Sequence, residues 1–396
     1  MVDVATLGTF AVAAVASLFM AWTIGAGSSG STPFAPAVGA NAISVMRAGF
    51  LVGLCCFLGA VFQGANVSEA VGEELIGGVT LSAEAATIAL TIAATLVAIG
   101  VFTGYPIATA FTVTGAVIGV GFAMGGDPAW LKYQEIAALW LLTPFVGGGI
   151  AYLTARALRE EPIPERHVVL ILAAIVGVLL ANIEFAVLGP PDGGASVAVT
   201  LSAWIPGPSA FGVVAATGLL AIAFTAALHR DMRAGTTIAE RHFLLVLGGL
   251  VAFSAGGSQV GLAVGPLVPL SDDVGLSITA LLLGGGVGLL VGAWTGAPRM
   301  IKAISQDYSS LGPRRSIAAL IPSFAIAQVA ILYGIPVSFN QIVVSAIIGS
   351  GYAAAASGGG VSARKMGFTV LAWAISFVLS IVVSFGAYRG VAWLLF

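Results

Sequence analysis

Residues 22–33 read WTIGAGSSGSTP, and three chemistries can be written on that run of glycines and serines. GAGSSG satisfies G-x-G-x-x-G, the loop that seats a dinucleotide pyrophosphate on a helix N-terminus. GSSG at 27–30 satisfies the G-x-S-G of an intramembrane serine nucleophile. The third chemistry is a cradle for a small anion, because amides at a helix start carry partial positive charge and Ser28, Ser29 and Ser31 add hydroxyl donors. The dinucleotide reading needs a strand before the motif and an acid about 20 residues beyond it. Upstream stands TLGTFAVAAVASLFMAW, an apolar run nearly long enough to span a bilayer, and no Asp or Glu occurs between the motif and Glu69. The nucleophile needs a neighbouring base, yet His167, His229 and His242 all lie beside basic residues at the ends of apolar runs. The chain reads as a non-enzyme, and the anion cradle remains beside the plainer reading of these small residues as a helix-packing face, which paired breaks in a repeated chain would disfavour.

What must position such a cradle is a helical bundle inside a membrane. Of 396 residues, 59% are hydrophobic and 8% charged, against roughly 45–50% and about 25% in soluble domains. AATIALTIAATLVAIGVF, HVVLILAAIVGVLLANIEFAVLG and VLAWAISFVLSIVVSFGAY each supply close to the ~20 residues that cross a hydrocarbon core. Nothing in this composition fits nucleic-acid binding or a soluble metal site. MVDVATLG offers no positive n-region for a cleavable signal, and the first basic residue is Arg47, so the amino terminus is expected outside a cell membrane. Cys55 and Cys56 are adjacent in an apolar run, which suits packing rather than a disulfide or a metal. Gln63 and Asn66 are candidates to line a path, but they stand near a loop and are expected first to be solvated. Glu184 is a candidate if deeply embedded and otherwise interfacial, and Gln328, alone in AIAQVAIL, is expected to bond across helices.

The chain also matches itself at an offset near 230. GSSGSTPFAP at 27–36 falls on GSQVGLAVGP at 257–266, GYPIATAF at 104–111 on GIPVSFNQ at 334–341, and GAVIGVGFA at 115–123 on SAIIGSGYA at 345–353. Trp140 and Trp373 follow in the same order, and ordered anchors of this kind mark a duplication. Equivalent loops differ in charge: ANVSEAVGEELIGGVTLSAE holds four glutamates and no Lys or Arg, whereas GAPRMIKAISQDYSSLGPRRS holds Arg299, Lys302, Arg314 and Arg315. Positive charge marks the inner face, so the two copies are inverted. The expected fold is an all-α polytopic membrane protein with broken or re-entrant helices and about 12 membrane segments. A first inverted repeat covers 1–160, a connector of two spans covers 161–240, and a second inverted repeat covers 241–396. PPDGGASVAVTLSAWIPGPS becomes the external loop between the connector spans. With both termini outside, every Lys and Arg except Lys132 and Arg389 falls on the inner face.

Glycine-broken spans at matching places in inverted repeats put a substrate at the midplane, between half-helices whose ends face it. GAGSSGSTP and SAGGSQVG are expected to be such breaks, as are TGYPIATAF and YGIPVSFNQ, where Gly-x-Pro precedes a short segment. Ser28, Ser29, Ser31, Ser258 and Gln259 are then the substrate-contact candidates, with Gly27, Gly30, Gly256 and Gly257 admitting close backbone approach. Thr109, Ser338, Asn340 and Gln341 complete the cavity.

This duplicated pattern resembles the inorganic phosphate transporter (PiT) family over essentially the whole chain outside the connector. In that family each copy carries a signature close to G-A-N-D-V-A-N-A followed by G-P or G-T, and later G-L-P-V-S-T-T-H before G-A-I-I-G-V-G. TIGAGSSGST, SAGGSQVGLAVGPL, GYPIATAFTVTGAVIGVG and GIPVSFNQIVVSAIIGSG stand in those places. Anchored on Pro266, the second Asn-Asp falls on Ser258 and Gln259. Anchored on the repeat, the first falls on Ser28 and Ser29, while the family pattern alone also allows Gly27 and Ser28. The histidine of each S-T-T-H becomes Phe111 and Gln341, and no signature carboxylate remains. In this the chain is more similar to the family's sulfate permease branch. Protonated phosphate benefits from a carboxylate acceptor, whereas fully ionised sulfate would be repelled by one. The resemblance thus implies a membrane permease for a small inorganic oxyanion, sulfate first and phosphate as the alternative, with an anion channel as a further reading. It implies a homodimer and no cofactor. Coupling to Na+, coupling to H+ and uncoupled passage all stay open, with Ser28, Ser258, Thr109 and Asn340 as candidate sodium ligands.

Overall fold

A computed structural model describes residues 3–159, 164–189, 194–307, 311–353 and 363–395, and these are nearly all helical. The first group of helices is α1 (Val4–Gly27), α2 (Ala35–Gly39), α3 (Val45–Gln63), α4 (Ala65–Glu73), α5 (Ala83–Thr103), α6 (Thr109–Ala123) and α7 (Trp130–Ala157). The middle group is α8 (Glu165–Asn182), α9 (Val197–Ser202) and α10 (Ser209–Ala234). The last group is α11 (Thr236–Val264), α12 (Val268–Ser271), α13 (Ile278–Thr295), α14 (Ala297–Asp307), α15 (Pro313–Leu332), α16 (Phe339–Tyr352) and α17 (Ala363–Leu395). The order of the first group therefore recurs, element for element, in the last.

Local sequence explains the boundaries. Ser82 and Ser277 cap α5 and α13, accepting the amides of Ala85 and Ala280 at 3.2 and 3.3 Å. The helices α5 and α15 stop at Gly104 and Gly334, whose φ of +78° and +58° lie in the left-handed region that favours glycine. Pro106 and Pro336 then keep the chain from resuming a helix at once. When it resumes, α6 and α16 have only 15 and 14 residues, which at 1.5 Å per residue is short of a hydrocarbon core of about 30 Å. Ten other helices among the described residues are long and apolar enough to cross. With α6 and α16 they make up the twelve expected segments, and the protein is a multi-pass membrane protein. Large side chains on the outside of the bundle, such as Leu131, Phe145 and Trp393, are exposed, as a lipid-facing surface requires.

Packing pairs the two groups crosswise. The helix α3 lies on α11 and α13 on α1, while α6 lies on α17 and α16 on α7. Within each group α1 packs on α5 and α11 on α15. Glycine makes the crossed pairs close: a Cβ at Gly59 would strike the carbonyl of Phe253, one at Gly256 that of Cys56, and one at Gly292 that of Trp22. Here one expectation is corrected. SAGGSQVG is not a break, because α11 runs through it without interruption and gives way to a 3-10 turn only at Gly265–Leu267. Gly256 and Gly257 serve contact with α3, and Gly261 contact with α4, instead. GAGSSGSTP does interrupt the chain, between α1 and α2.

The helix α15 gives the bundle an axis of reference. Near its end Lys132 donates to the carbonyl of Tyr333 at 3.4 Å and pairs with Glu74 at 2.7 Å, beside the strand Ile76–Gly77, which pairs with Asp127–Pro128 beyond the C-terminus of α6. Near its start Arg315 donates to the carbonyl of Gly351 at 3.1 Å, at the C-terminus of α16. Thus α6 and α16 run from the interior to opposite ends of α15. At that same starting end Arg314 pairs with Glu165 at 2.5 Å and Arg159 donates to Ala353 at 2.9 Å.

The connector helices α8 and α10 pack on each other, and a two-residue ladder joins Glu184–Phe185 to Ala195–Ser196. Residues 190–193 of the expected external loop lie outside the described residues. Glu184 is exposed on this ladder, so it is not an embedded carboxylate.

Candidate functional site

The amino ends of α6 and α16 meet inside the bundle. Asn340, in the first turn of α16, donates through Nδ2 to the carbonyl of Gly27 at 3.1 Å and to that of Ile107 at 2.6 Å. One side chain thereby ties α16 to the end of α1 and to the segment entering α6. Gln259 reaches the same place from within α11. Its Nε2 donates to the carbonyl of Val337, and its Oε1 accepts Thr109 Oγ1 at 2.8 Å. Thr109 Oγ1 also lies 3.4 Å from Ser28 Oγ. Four elements therefore converge through Gly27, Ser28, Thr109, Gln259 and Asn340, all of them buried.

Four further atoms mark this region. Ser258 Oγ, Ser338 Oγ, Asn340 Oδ1 and Gln341 Oε1 are buried without a hydrogen-bond partner. An unpaired buried polar atom costs free energy, so such atoms are rare outside places where a ligand satisfies them. The orientation of the two amides is set by their other ends. Asn340 Nδ2 faces two carbonyls and Gln341 Nε2 donates to the carbonyl of Trp140 at 2.7 Å, so reversing either amide would oppose oxygen to oxygen. The free ends are acceptors, whereas the first-turn amides of α6 and α16 have no intrahelical acceptor and are donors carrying partial positive charge.

The serine-rich segment does something different from what its composition suggests. The amides of Ser28 and Ser29 return to Ile24, and those of Ser31 and Thr32 return to Ser28. Ser29 Oγ lies 3.4 Å from the carbonyl of Ile24, and Ser31 Oγ donates to Ser28 at 3.1 Å. The expected freed amides of this break are therefore engaged locally, and the half-helix amino ends are those of α6 and α16. Gly30 is where it is because a Cβ would strike the carbonyl of Gly25, and Gly257 abuts Gln63.

Several participants were not singled out from the sequence. Cys56 Sγ bridges the carbonyls of Ser29 and Ala252 at 3.3 and 3.2 Å. Trp140 and Trp373 hold the carbonyls of Pro336 and Pro106, and their matching offset was the available signal. Gln63, expected to be solvated, is buried and pairs with Gln328, whose interhelical bond is as expected. Asn66 is exposed. The histidines lie at the periphery, His229 beside Arg166 and His242 on Asp231 at 2.8 Å, so none serves Ser29 as a base.

Comparison with known proteins bears on what this arrangement transports. The chain is 26% identical over 367 aligned residues to the "Putative phosphate permease" of Pyrococcus horikoshii, an alignment covering 84% of this chain and 86% of that one. It is 23% identical to the "Inorganic phosphate transporter 2-1, chloroplastic" of Arabidopsis thaliana, over 85% of this chain and 64% of that one. Its fold superimposes on a solved structure titled "The sodium-dependent phosphate transporter" with a TM-score of 0.80 at 20% identity, covering 98% of this chain and 100% of that one. These names point to phosphate, and the expected affinity with a sulfate branch finds no support among them. The profile of the Phosphate transporter family matches residues 24–384, and the chain belongs to that family.

Proposed function

We propose that this protein is a permease for inorganic phosphate in the cell membrane, with inverted units over 1–160 and 241–396 joined by a connector over 161–240. The observation that carries the substrate is the family match across residues 24–384, in company with relatives named for phosphate. The argument for sulfate rested on carboxylates being the acceptors for a proton on the anion. Asn340 Oδ1 and Gln341 Oε1 weaken that premise, since amide oxygens also accept. A protonated phosphate can donate to them, whereas sulfate would leave them unpaired.

In this reading Thr109, Ser258, Gln259, Ser338, Asn340 and Gln341 contact the anion beside Gly27 and Ser28. Ser29, Gly30, Ser31, Gly256 and Gly257 shape the backbone around them. The ligand oxygens of Ser28, Thr109, Ser258 and Asn340 suit a hard cation, and sodium is the coupling ion of choice. The test is uptake of radiolabelled phosphate and sulfate into proteoliposomes under a sodium gradient, a proton gradient or neither. Sodium-driven phosphate accumulation that excess sulfate does not inhibit is the expected result. Preferential accumulation of sulfate overturns the substrate, and uptake without counterflow makes the protein a channel.

A further inference from the structure

A second cluster of buried amides lies one helical turn from the site, on the side covered by the connector. Gln63, the last residue of α3, and Gln328 of α15 pair reciprocally: Gln63 Nε2 donates to Gln328 Oε1 at 3.2 Å, and Gln328 Nε2 to Gln63 Oε1 at 3.1 Å. Gln328 Nε2 also donates to Ser254 Oγ of α11 at 2.6 Å. The two glutamines are 6% and 8% exposed. Toward the site, a Cβ added to Gly257 would come within 2.8 Å of Gln63 Cβ, and Gly257 immediately precedes Ser258 and Gln259. Toward the surface, Gln63 Nε2 donates to the carbonyl of Glu184 at 2.6 Å, on the connector ladder. There Phe185 packs on Phe253, beside Ser254, with ring centroids 5.7 Å apart. Polar groups thus run from an exposed strand to Ser254, one turn of α11 before Ser258.

Among the described residues the other half of the molecule has no such cluster. Matching the turns at Gly64 with Gly296, and at Gly104 with Gly334, sets Thr295 opposite Gln63 and Ala98 opposite Gln328, and Ile24 stands opposite Ser254. Ala98 and Ile24 are buried and apolar, and Thr295 accepts the indole N–H of Trp22 at 2.9 Å on the periphery. These helices therefore join without an amide pair, and the amides bring something else: N–H donors without charge. We propose that Gln63, Gln328 and Ser254 form an antechamber for the transported oxyanion, closed here by the connector strand Glu184–Phe185. Lifting that strand frees Gln63 Nε2, and parting of the pair frees Gln328 Nε2, to replace the water lost from the anion.

The proposal rests on the permease reading and is tested in the full chain carrying Cys55→Ser and Cys56→Ser, with Gln63→Cys or Gln328→Cys added singly. A membrane-impermeant methanethiosulfonate is applied from the connector side during turnover, with inorganic phosphate as the probe. Either cysteine labels, and phosphate at ten times its half-saturating concentration for uptake slows labelling by about tenfold. Labelling that phosphate leaves unchanged, or no labelling of either cysteine while uptake proceeds, overturns the antechamber. Separately, Gln63→Leu lowers kcat/KM for phosphate by about tenfold with thermal stability kept, and a parental kcat/KM overturns the proposal as well. If the doubly serine-substituted parent and the native chain both carry no phosphate, it is the permease reading that fails, and the antechamber falls with it.

Discussion

The indole nitrogen of Trp140 donates to the carbonyl oxygen of Pro336 at 2.8 Å, and Trp373 makes the same bond, at the same length, to Pro106. Each tryptophan lies in one group of helices and each proline in the other. The two bonds hold the extended segments from which α6 and α16 restart, so they set where the amino ends of those helices meet. Trp140→Phe and Trp373→Phe each leave a buried carbonyl unpaired while keeping a ring, and each costs about 1–3 kcal/mol. Thermal unfolding in detergent measures this, with uptake falling in parallel; an unchanged Tm in both variants would contradict it.

Asn340 bonds two carbonyls through one amide nitrogen. Asn340→Asp sets a carboxylate oxygen against both, and uptake kinetics are expected to show kcat/KM for phosphate down by about 100-fold, equivalent to roughly 2.7 kcal/mol. Asn340→Ala, which removes the clash as well as the donor, gives the milder loss.

Ser258 and Ser338 carry buried hydroxyls without partners. Removing such a group relieves a cost in the resting protein, so Ser258→Ala and Ser338→Ala leave the fold as stable or raise stability by about 0.5–1.5 kcal/mol. The same variants raise KM for phosphate by about tenfold. Stability and affinity moving in opposite senses is the signature to look for, and a loss of both would assign these serines to packing.

Gly256 and Gly284 separate two roles of glycine in the last group of helices. A Cβ at Gly256 collides with the backbone of Cys56, whereas Gly284 has open space around it. Gly256→Ala therefore destabilises by about 3 kcal/mol or more, and Gly284→Ala is neutral or slightly stabilising. Denaturation of the two purified variants side by side decides the matter.

The duplicated order and the restarts at Thr109 and Phe339 were legible because single residues encode them: Gly104 and Gly334 in the left-handed region, and a proline two positions on. SAGGSQVG was misread because glycines that break a helix and glycines that admit a neighbour look alike until the neighbour is known. The neighbour, α3, lies about 200 residues away in the chain, and the same distance hid Gln63, which is covered by α15 and a connector strand rather than by water. The missing carboxylates were plain to read. Which end of Asn340 and Gln341 would be left over was not, because that depends on which carbonyls the fold brings to their nitrogens.

The cluster of Ser28, Thr109, Gln259 and Asn340 consists of hydroxyls and amides, none of which changes charge across the physiological range. In the permease reading, acidity then reaches this protein by way of its cargo. A rate profile against pH traces the ionisation of the dissolved anion, and shifts when the anion is exchanged for an analogue of different strength. Substituting any member of the cluster by another residue that does not titrate lowers that curve without sliding it sideways.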